Sequence, residues 1–316
     1  MGDDECLNNI RVLFGPEAPS FGSWVWLGKD LVHSLTSCFS TGVFRQSIPD
    51  AEVVVFIKFL PEPSVLKELN ERSVVVYCPV DIYGSAAEID SDAEKLVCCD
   101  RIVVHCHRLV RYFASYAPTT YMDHHVKYVV PTRSGVVESG PILWVGERSN
   151  LDPLVQWINE SVPLPETLLV LTNVEDPADV ADPSTFGFRD DRDVVIQAWS
   201  PEAQMQCLHR CRAAFDIKGN EFRPLHKPPA KAIDFLASGV PLAMNSDSSS
   251  VEHLRHCGFN IPTPDDTSRW LSREYAVDTQ RFGQAISELF SLQRVTTRWE
   301  WMLRELITTS GTGAAK

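Results

Sequence analysis

The stretch Lys227-Pro-Pro-Ala-Lys-Ala-Ile-Asp-Phe-Leu-Ala-Ser-Gly-Val-Pro-Leu-Ala243 decides the fold, because it specifies a helix that is followed at once by an apolar strand. Its first two prolines suit the opening turn of a helix, where a missing N–H costs nothing. Its glycine, Gly239, suits the left-handed residue that ends a helix. We therefore predict a helix over residues 229–238 and a buried strand over residues 240–244.

Two lysines of this stretch point to an anionic ligand. The free N–H groups at the start of a helix are partly positive, so Lys227 and Lys231 lie where the dipole disfavours cations unless an anion is bound. A phosphate group fits such a position. Asp234 lies one turn further along the same face, where its carboxylate could accept hydrogen bonds from ribose hydroxyls. A solvated lysine and a surface ion pair would have the same spacing.

Length and charge limit the classes of function. A chain of 316 residues exceeds the usual size of a single core, so we expect two domains of roughly 150 residues. The formal net charge of −13 argues against a broad nucleic-acid surface and a stable nucleic-acid partner. No apolar run approaches the about 18 residues needed to cross a bilayer, and the chain does not open like a signal peptide. We therefore expect a cytoplasmic protein with no transmembrane segment.

The cysteines and acidic pairs do not predict a metal site. The nine cysteines include no C-x-x-C pair, and several lie in apolar segments, as reduced core residues do. Cys98 and Cys99 come shortly before His105, but the intervening strand would separate these side chains. The D-x-D strings at Asp90 and Asp191 do not directly follow an apolar strand, so we expect no bound divalent metal.

Apolar runs alternate with segments of helical period along most of the chain. Continuous Val, Ile and Leu runs of this kind predict parallel sheets buried on both faces, the doubly wound α/β class. A segment rich in Pro and Gly, residues 130–141, separates two of the runs without a helix and is the predicted linker. The predicted strands are Ile10 to Phe14, Glu52 to Phe56, Ser73 to Cys78, Arg101 to His105, Lys127 to Val130, Ile142 to Val145, Leu168 to Leu171, Val194 to Gln197, Ala213 to Ile217 and Val240 to Met244.

Ligands of open parallel sheets bind beyond the carboxyl ends of the strands, so the loops there are the candidate site. Gly22 and Ser23 open a helix after the first strand. Gly146 permits close backbone approach after the first strand of the second half, and Arg148 could bind a phosphate there. Trp199 follows a later strand and could stack on a nucleobase.

These features together resemble the GT-B glycosyltransferases, in particular the group 1 or family 4-like nucleotide-sugar enzymes. Ile142-Leu-Trp-Val-Gly-Glu-Arg148 is similar to the strand and Gly-x-Arg loop that open their donor-binding domain. Lys231-Ala-Ile-Asp-Phe-Leu-Ala-Ser-Gly-Val-Pro241 is similar to their Lys-x-x-Glu-x-x-Ala-x-Gly-x-Pro signature, with Asp in place of Glu. Tyr77-Cys-Pro-Val-Asp81 in the first half resembles a strand-end pattern of their acceptor domain.

The resemblance implies an α/β, GT-B-like fold of two facing Rossmann-like, doubly wound domains with a C-terminal helix that crosses back. The implied divisions are an acceptor-side domain over 1–138, a donor-binding domain over 139–295, the crossing helix over 296–309 and a disordered tail over 310–316. Lys231 would contact the donor diphosphate and Asp234 the ribose, and Gly22 and Ser23 would form a shortened glycine-rich loop that approaches the donor phosphates. Many retaining members carry a second acidic residue eight positions before the signature acid. Here that position is His226, which we include among the expected donor-binding residues.

The implied function is transfer of a sugar from a UDP-, GDP- or dTDP-sugar to an unknown acceptor, without a metal. The acceptor could be a glycan, a small molecule, a protein or a nucleic acid. Lys231, Arg148 and Lys227 would stabilise the leaving diphosphate, together with helix N-terminal amides. An inverting reaction would need a general base from the first domain. The candidates are Asp81, His105 and Glu17.

Two other functions are compatible with the same residues. Sugar-nucleotide epimerases share the GT-B architecture and need no acceptor. A non-catalytic binding subunit would keep the fold, and His226 in place of the second acid favours considering it. A nicotinamide dehydrogenase fits less well, because no G-x-G-x-x-G follows any strand.

Overall fold

The computed structural model describes residues 9–174 and 182–310 and separates into two compact units. Of the described residues, the first unit contains 9–125, 226–228 and 291–310. The second unit contains 126–174, 182–225 and 229–290. The assignment of one unit to the acceptor and the other to the donor stays a prediction.

The strands form two sheets, and every recorded pairing between them is parallel. The first unit holds a six-stranded sheet with the order β2-β1-β3-β4-β5-β6, and the second a five-stranded sheet with the order β11-β10-β7-β8-β9. The predicted α/β class with two parallel sheets is confirmed. The strands are β1 Arg11–Gly15, β2 Ser40–Val43, β3 Val53–Ile57, β4 Val74–Cys78, β5 Arg101–Val104, β6 Thr119–Tyr121, β7 Ile142–Val145, β8 Leu168–Thr172, β9 Val194–Ala198, β10 Ala213–Asp216 and β11 Leu242–Met244.

Helices connect most of the strands. A π-helical segment, Val25–Lys29, joins the first two helices, and short 3-10 turns lie at Leu35–Ser37, Arg148–Asn150 and Pro183–Phe186. The α-helices are α1 Gly22–Trp24, α2 Asp30–Ser34, α3 Pro63–Asn70, α4 Ala86–Ser91, α5 Ala93–Leu96, α6 His107–Phe113, α7 Asp152–Glu160, α8 Pro201–Arg210, α9 Phe222–Leu225, α10 Ala230–Ala237, α11 Ser249–His256, α12 Thr267–Trp270, α13 Arg273–Leu289 and α14 Leu292–Thr309.

Central and edge strands differ in sequence because they differ in burial. The central strands β3 and β4 read Val-Val-Val-Phe-Ile and Val-Val-Val-Tyr-Cys, and every residue in them is buried. The edge strand β9 alternates, and Val195 is half-exposed. Two edge strands of the first sheet, β2 and β6, are not predicted from the sequence, and they read Ser-Thr-Gly-Val and Thr-Thr-Tyr. Strands at an edge need not be apolar on both faces, so the search for apolar runs overlooks them.

The helix predicted over residues 229–238 is confirmed as α10. Pro229 is its N-cap and Ser238 its C-cap. Gly239 has a φ of 71°, and its N–H donates to Leu236 O at 2.9 Å while the N–H of Val240 donates to Phe235 O at 3.0 Å. This pair of bonds is a Schellman motif, which requires a left-handed residue at that position. The strand β11 begins three residues after the glycine.

The predicted strand from Lys127 to Val130 is wrong. The N–H groups of Lys127 and Tyr128 donate to the carboxylate of Asp234, and the N–H of Val130 donates to Ser238 Oγ at 3.2 Å. These backbone donors bond to side chains of α10 and its cap, so they are engaged outside any strand ladder. The segment reads as a strand only because it is apolar.

The helix α11 is capped by Ser248, whose Oγ accepts from the N–H of Ser250. The final helix α14 begins at Leu292, four residues before the predicted start. Its apolar face, which includes Trp299 and Leu303, packs into the core of the first unit. The predicted disordered tail lies, apart from Ser310, outside the described residues.

Candidate functional site

Two lysines and one aspartate meet at the carboxyl edge of the second sheet. Asp216 is the last residue of β10, Lys218 follows it, and Lys231 lies in the first turn of α10. Lys218 Nζ lies 3.3 Å from Asp216 Oδ2, and Lys231 Nζ lies 3.3 Å from Asp216 Oδ1. Lys231 Nζ also donates to the carbonyl of Val145, the last residue of the neighbouring strand β7, at 2.8 Å. We call Asp216, Lys218 and Lys231 the charged triad.

The charged triad carries a net positive charge. Burial acts to raise the pKa of Asp216, but the ammonium groups of Lys218 and Lys231 outweigh it and hold that pKa below its ordinary value. The carboxylate is therefore ionised at neutral pH, and two ammonium groups against one carboxylate leave one positive charge. The side chain of Lys218 is 7% exposed and that of Lys231 is 35% exposed. A positive charge on a partly exposed lysine side chain is suited to an anionic ligand.

The amino end of α11 lies beside this charge. Lys218 Nζ donates to Ser250 Oγ in the first turn of α11 at 3.0 Å. The N–H of Lys218 donates to Asn245 Oδ1 at 2.8 Å, which ties the end of β10 to the loop after β11. The start of a helix adds partial positive charge from its free N–H groups. Lys218 is thus held by three neighbours in the region where helix and lysine charges add.

Gly146 follows β7 and is required by packing. A Cβ at this position would lie 2.5 Å from the ring of Trp144, which is almost fully buried. Lys231 Nζ lies 5.3 Å from the centroid of the same ring, a cation–π distance. Gly146 therefore leaves room for the Trp144 ring that packs next to Lys231. Close approach of a ligand to the backbone of Gly146 stays a prediction.

Arg148 is directed to the segment around Phe186. Its guanidinium carbon lies 4.4 Å from the Phe186 ring centroid, and Nη2 donates to Thr185 O at 3.4 Å. Its N–H donates to Asn173 Oδ1 at 2.7 Å. A phosphate contact by Arg148 stays a prediction, and it would require the guanidinium to leave the ring.

Trp199 lies where the sequence analysis expected a base-binding side chain. It follows β9, its backbone N–H donates to Thr172 O, and the residue is 37% exposed. Its indole Nε1 donates to Gln204 Oε1 at 2.9 Å, and its ring meets that of Tyr128 edge-on at 5.5 Å. These contacts fix the ring while one part stays exposed. Stacking on a nucleobase stays a prediction.

Asp234 has structural partners in this conformation. It is buried, with Oδ1 accepting the N–H of Lys127 at 2.9 Å and Oδ2 accepting the N–H of Tyr128 at 3.2 Å. Burial raises the pKa of Asp234 to about 7, although these two N–H groups act in the opposite direction. The ribose contact stays a prediction, and the geometry gives the carboxylate another role, that of holding the coil after His125.

Four other predicted donor residues belong to the first unit. Gly22 and Ser23 open α1, as predicted, and the Oγ of Ser23 is buried without a hydrogen-bond partner among the described residues. His226 meets the ring of Tyr112 edge-on at 5.7 Å. Lys227 follows it in the same short segment. Their part in donor binding stays a prediction.

The three candidate bases also lie in the first unit. Asp81 follows β4 and has a φ of 52°. His105 follows β5, is buried, and forms a hydrogen bond between Nδ1 and Met122 O at 2.8 Å. Burial lowers the pKa of His105 to about 4, which makes it a weak base. Glu17 forms an ion pair with the exposed Arg45.

Asp216, Lys218, Lys58 and His124 are not predicted from the sequence. Each comes within three residues of the end of a parallel strand, which is where a ligand of this fold binds. The same rule drew attention to Gly146 and Trp199, so the signal was present. Among the described residues, no group of three or more His, Cys, Asp or Glu side chains could hold a metal ion. No described helix has the length and apolarity needed to cross a membrane.

Solved structures with the same arrangement of secondary structure cover nearly the whole chain. AviGT4, a glycosyltransferase involved in avilamycin A biosynthesis, aligns with a TM-score of 0.60 and 10% identity over 95% of this chain and 98% of that one. WaaG, a glycosyltransferase involved in lipopolysaccharide biosynthesis, aligns with a TM-score of 0.59 and 10% identity over 92% and 98%. A putative UDP-N-acetylglucosamine 2-epimerase from Listeria monocytogenes aligns with a TM-score of 0.51 and 8% identity over 92% and 94%.

These likenesses show the fold. A scan against protein-family models and a search of curated proteins each give no match. At about one identical residue in ten, the neighbours share an architecture with this chain and their activities do not transfer with it. The chain has the GT-B glycosyltransferase fold, as the sequence predicts.

Proposed function

We propose that this protein is a glycosyltransferase that takes a sugar from a nucleotide diphosphate sugar, with the donor diphosphate bound by Lys218 and Lys231. The observation that carries the proposal is the charged triad at the carboxyl edge of the second sheet, where both ammonium groups lie 3.3 Å from one buried carboxylate. Open α/β sheets bind their ligands at this edge. The GT-B fold supports a sugar nucleotide as that ligand.

The triad has the charge that the reaction needs. Breaking the bond between the sugar and the diphosphate leaves negative charge on the diphosphate, and fixed positive groups lower the energy of that transition state. Lys218 is held by Asp216, Ser250 and Asn245 before any ligand arrives. Groups positioned in advance need little reorganisation during the reaction. Lys231 is more exposed and would contact the phosphate oxygens first.

For an inverting reaction we favour Asp81 as the general base. The pKa of His105 is lowered to about 4 by burial, so its imidazole has little tendency to take a proton from an acceptor hydroxyl. Glu17 is engaged with Arg45. Asp81 has a left-handed backbone at the end of β4, and such a conformation in a residue other than glycine is concentrated at functional sites.

The proposal is tested by calorimetric binding and thermal stabilisation with UDP, GDP, dTDP and ADP. One of these should stabilise the protein, and Lys231→Ala and Lys218→Met should each weaken its binding by at least about tenfold. Lys67→Ala removes an exposed lysine of α3 in the first unit and should change nothing. Failure of all four nucleotides to bind would reject the proposal.

The epimerase neighbour makes a second function testable with the same protein. A glycosyltransferase leaves its donor intact, apart from slow hydrolysis, when no acceptor is present. An epimerase converts the donor into a new nucleotide sugar under those conditions. Incubation of the preferred donor alone, followed by chromatography, separates the two. Binding without turnover across many acceptors would instead identify a binding subunit.

A further inference from the structure

Four chemically active side chains follow four neighbouring strands of the first sheet. Lys58, Asp81, His105 and His124 come within three residues of the ends of β3, β4, β5 and β6, which lie side by side in that order. Parallel strands end at the same edge of a sheet, so the four residues form a line along it. We call Lys58, Asp81, His105 and His124 the polar row.

Contacts connect neighbouring members of the polar row. Lys58 Nζ donates to the carbonyl of Val80 at 2.8 Å, immediately before Asp81. The charge of Asp81 acts on the imidazole of His105. The ring centroids of His105 and His124 are 4.4 Å apart. The two histidines are therefore in direct contact, Lys58 is bonded to the backbone next to Asp81, and Asp81 is related to His105 by its charge alone.

The two histidines have buried nitrogens that require hydrogen-bond partners. The carbonyl of Met122 can only accept, so the proton of neutral His105 lies on Nδ1, and Nε2 keeps a lone pair. His105 Nε2 and both ring nitrogens of His124 are buried without a partner among the described residues. Neutral His124 offers one N–H and one lone pair. A group that both donates and accepts, as a hydroxyl does, would satisfy these nitrogens.

The other end of the row is strained. Lys58, with a φ of 66°, and Asp81, with a φ of 52°, are the non-glycine residues of positive φ in the described chain. The conformation of Lys58 is held from several sides, because its N–H donates to Cys78 O and its carbonyl accepts from Tyr77 Oη. Strain of this kind persists only where the surroundings fix it, and it concentrates at functional sites.

Two exposed aromatic rings lie next to Lys58. Phe21 and Phe59 are 40% and 41% exposed, and their ring centroids are 5.8 Å apart. Lys58 Nζ lies 5.0 Å from the centroid of Phe21. Apolar rings beside a line of hydrogen-bonding groups offer both kinds of contact that a sugar ring needs, since a sugar has C–H faces and hydroxyl edges.

We propose that the polar row, together with Phe21 and Phe59, binds the acceptor and that the acceptor is an uncharged saccharide. Lys58 and Asp81 contribute one positive and one negative charge, so the row has no net charge to attract an ion. An aromatic alcohol would cover the phenylalanines but offer few hydroxyls to the histidines. An acidic sugar would place its charge near Asp81. This inference rests on the proposed transferase function.

The test uses the full chain, saturation-transfer NMR and a panel of probes. The probes are glucose, galactose, mannose, N-acetylglucosamine and maltose as uncharged saccharides, glucuronate as an acidic sugar and 4-nitrophenol as an aromatic alcohol. At least one uncharged saccharide should bind and should shift the Nε2 resonance of His105 in protein labelled with ¹⁵N-histidine. Its affinity should fall by about tenfold in His124→Phe, which removes two hydrogen-bonding atoms.

Matched variants separate binding from folding. His33→Phe alters an exposed histidine of α2 and should leave saccharide binding unchanged. Phe59→Ser should weaken binding without entering the core, whereas Val65→Ser, at a residue of similar exposure on α3, should not. Binding of glucuronate or 4-nitrophenol alone, or of none of the probes, would overturn the inference.

The nucleotide titrations distinguish this failure from that of the proposed function. Nucleotide binding that depends on Lys218 and Lys231, without saccharide binding at the polar row, would support the transferase proposal and refute the saccharide site. Saccharide binding without any nucleotide binding would support the saccharide site and refute the transferase proposal.

Discussion

Lys218 and Lys231 place their ammonium nitrogens at the same distance, 3.3 Å, from the two different oxygens of the buried carboxylate of Asp216. Two like charges so placed would repel each other without the carboxylate between them. Asp216 lowers the total positive charge available to a ligand, but it fixes where the remaining charge lies. We therefore interpret Asp216 as a positioning residue for both lysines.

Replacing Asp216 by Asn should damage both folding and donor binding. The change leaves two ammonium groups beside a neutral amide, and Lys218 is too buried to move into water. Breaking a buried ion pair in this way is expected to lower the free energy of unfolding by about 3 kcal/mol. Urea denaturation measures that loss, and calorimetry with the preferred nucleotide should show weaker binding below the unfolding transition.

The control for Asp216→Asn is Asp278→Asn. Asp278 is exposed on α13 and forms a surface ion pair with Arg281. Exposed pairs contribute little, so this variant should match the parent protein within about 0.5 kcal/mol. An Asp216→Asn protein as stable as that control would show that the carboxylate does not hold the lysines together.

Replacing Asp234 by Asn tests whether this residue holds the fold or the ribose. Asn has one acceptor oxygen where the native carboxylate uses two, for the N–H groups of Lys127 and Tyr128. The lost bond should lower the free energy of unfolding by about 1 kcal/mol, with nucleotide affinity unchanged. Ser238→Ala removes the neighbouring bond to Val130 and should behave in the same way. A tenfold loss of nucleotide affinity in Asp234→Asn alone would restore the ribose contact.

The stability of the second unit should also depend on pH through Asp234. Its pKa is about 7 in the folded chain, well above the ordinary value, so between about pH 4 and 7 the folded state binds a proton that the unfolded state releases. This contribution to stability is present at low pH and is lost as the pH rises through 7. Denaturation of Asp234→Asn at pH 5 and pH 8 should therefore show a smaller fall with pH than the parent protein shows.

The sequence was sufficient to predict the fold because the central strands and α10 carry strong local signals. Valine-rich runs such as β3 can only be buried, and Gly239 marks the end of α10 by a backbone conformation that glycine adopts without strain. The edge strand β2 carries no such signal. Its Ser-Thr-Gly-Val sequence forms a strand because β1 offers it a free edge, which is a tertiary effect.

The sequence predicts the position of the candidate site more fully than the residues that form it. The carboxyl-end rule predicts a ligand beside β7 and β10, and Lys231 belongs to a recognisable pattern. Asp234 belongs to the same pattern, yet its carboxylate bonds to a coil more than 100 residues earlier in the chain. Lys218 belongs to no recognisable sequence pattern. Its role is visible only in the folded chain, where Asp216, Asn245 and Ser250 surround it.

The buried histidines of the first unit should make its stability fall in acid. Burial lowers the pKa of His105 to about 4, so this imidazole is mostly neutral in the folded chain at pH 5, and burial also holds the pKa of His124 well below its ordinary value. The unfolded chain binds protons at both below about pH 6.5. The contribution of the two neutral histidines to the free energy of unfolding is therefore fully present above pH 6.5. It falls toward pH 4, by at most about 3 kcal/mol for His105.

The variant that tests this acid sensitivity is His124→Phe. Its ring keeps the contacts with His105 and with Trp26, whose ring lies 6.0 Å away, but it cannot take a proton. The fall in stability between pH 6.5 and 5 should be smaller than in the parent protein, while His33→Phe, at an exposed position, should leave it unchanged. An identical pH dependence in all three proteins would show that protons are bound elsewhere.

The two glycines predicted to approach the donor should respond differently to a methyl group. At Gly146 a Cβ would lie 2.5 Å from the buried ring of Trp144, so Gly146→Ala should lower the free energy of unfolding by about 2 kcal/mol through overpacking. At Gly22 the nearest atom would be 3.7 Å away, an ordinary contact, and the residue begins α1. Gly22→Ala should therefore be neutral or stabilising by up to about 1 kcal/mol.

Because Trp144 also lies beneath Lys231, the Gly146 variant should bind nucleotide more weakly at temperatures where it is folded. Equal unfolding free energies for the two variants would mean that Trp144 moves aside without cost. Unchanged nucleotide binding would show that the position of the Trp144 ring does not affect Lys231.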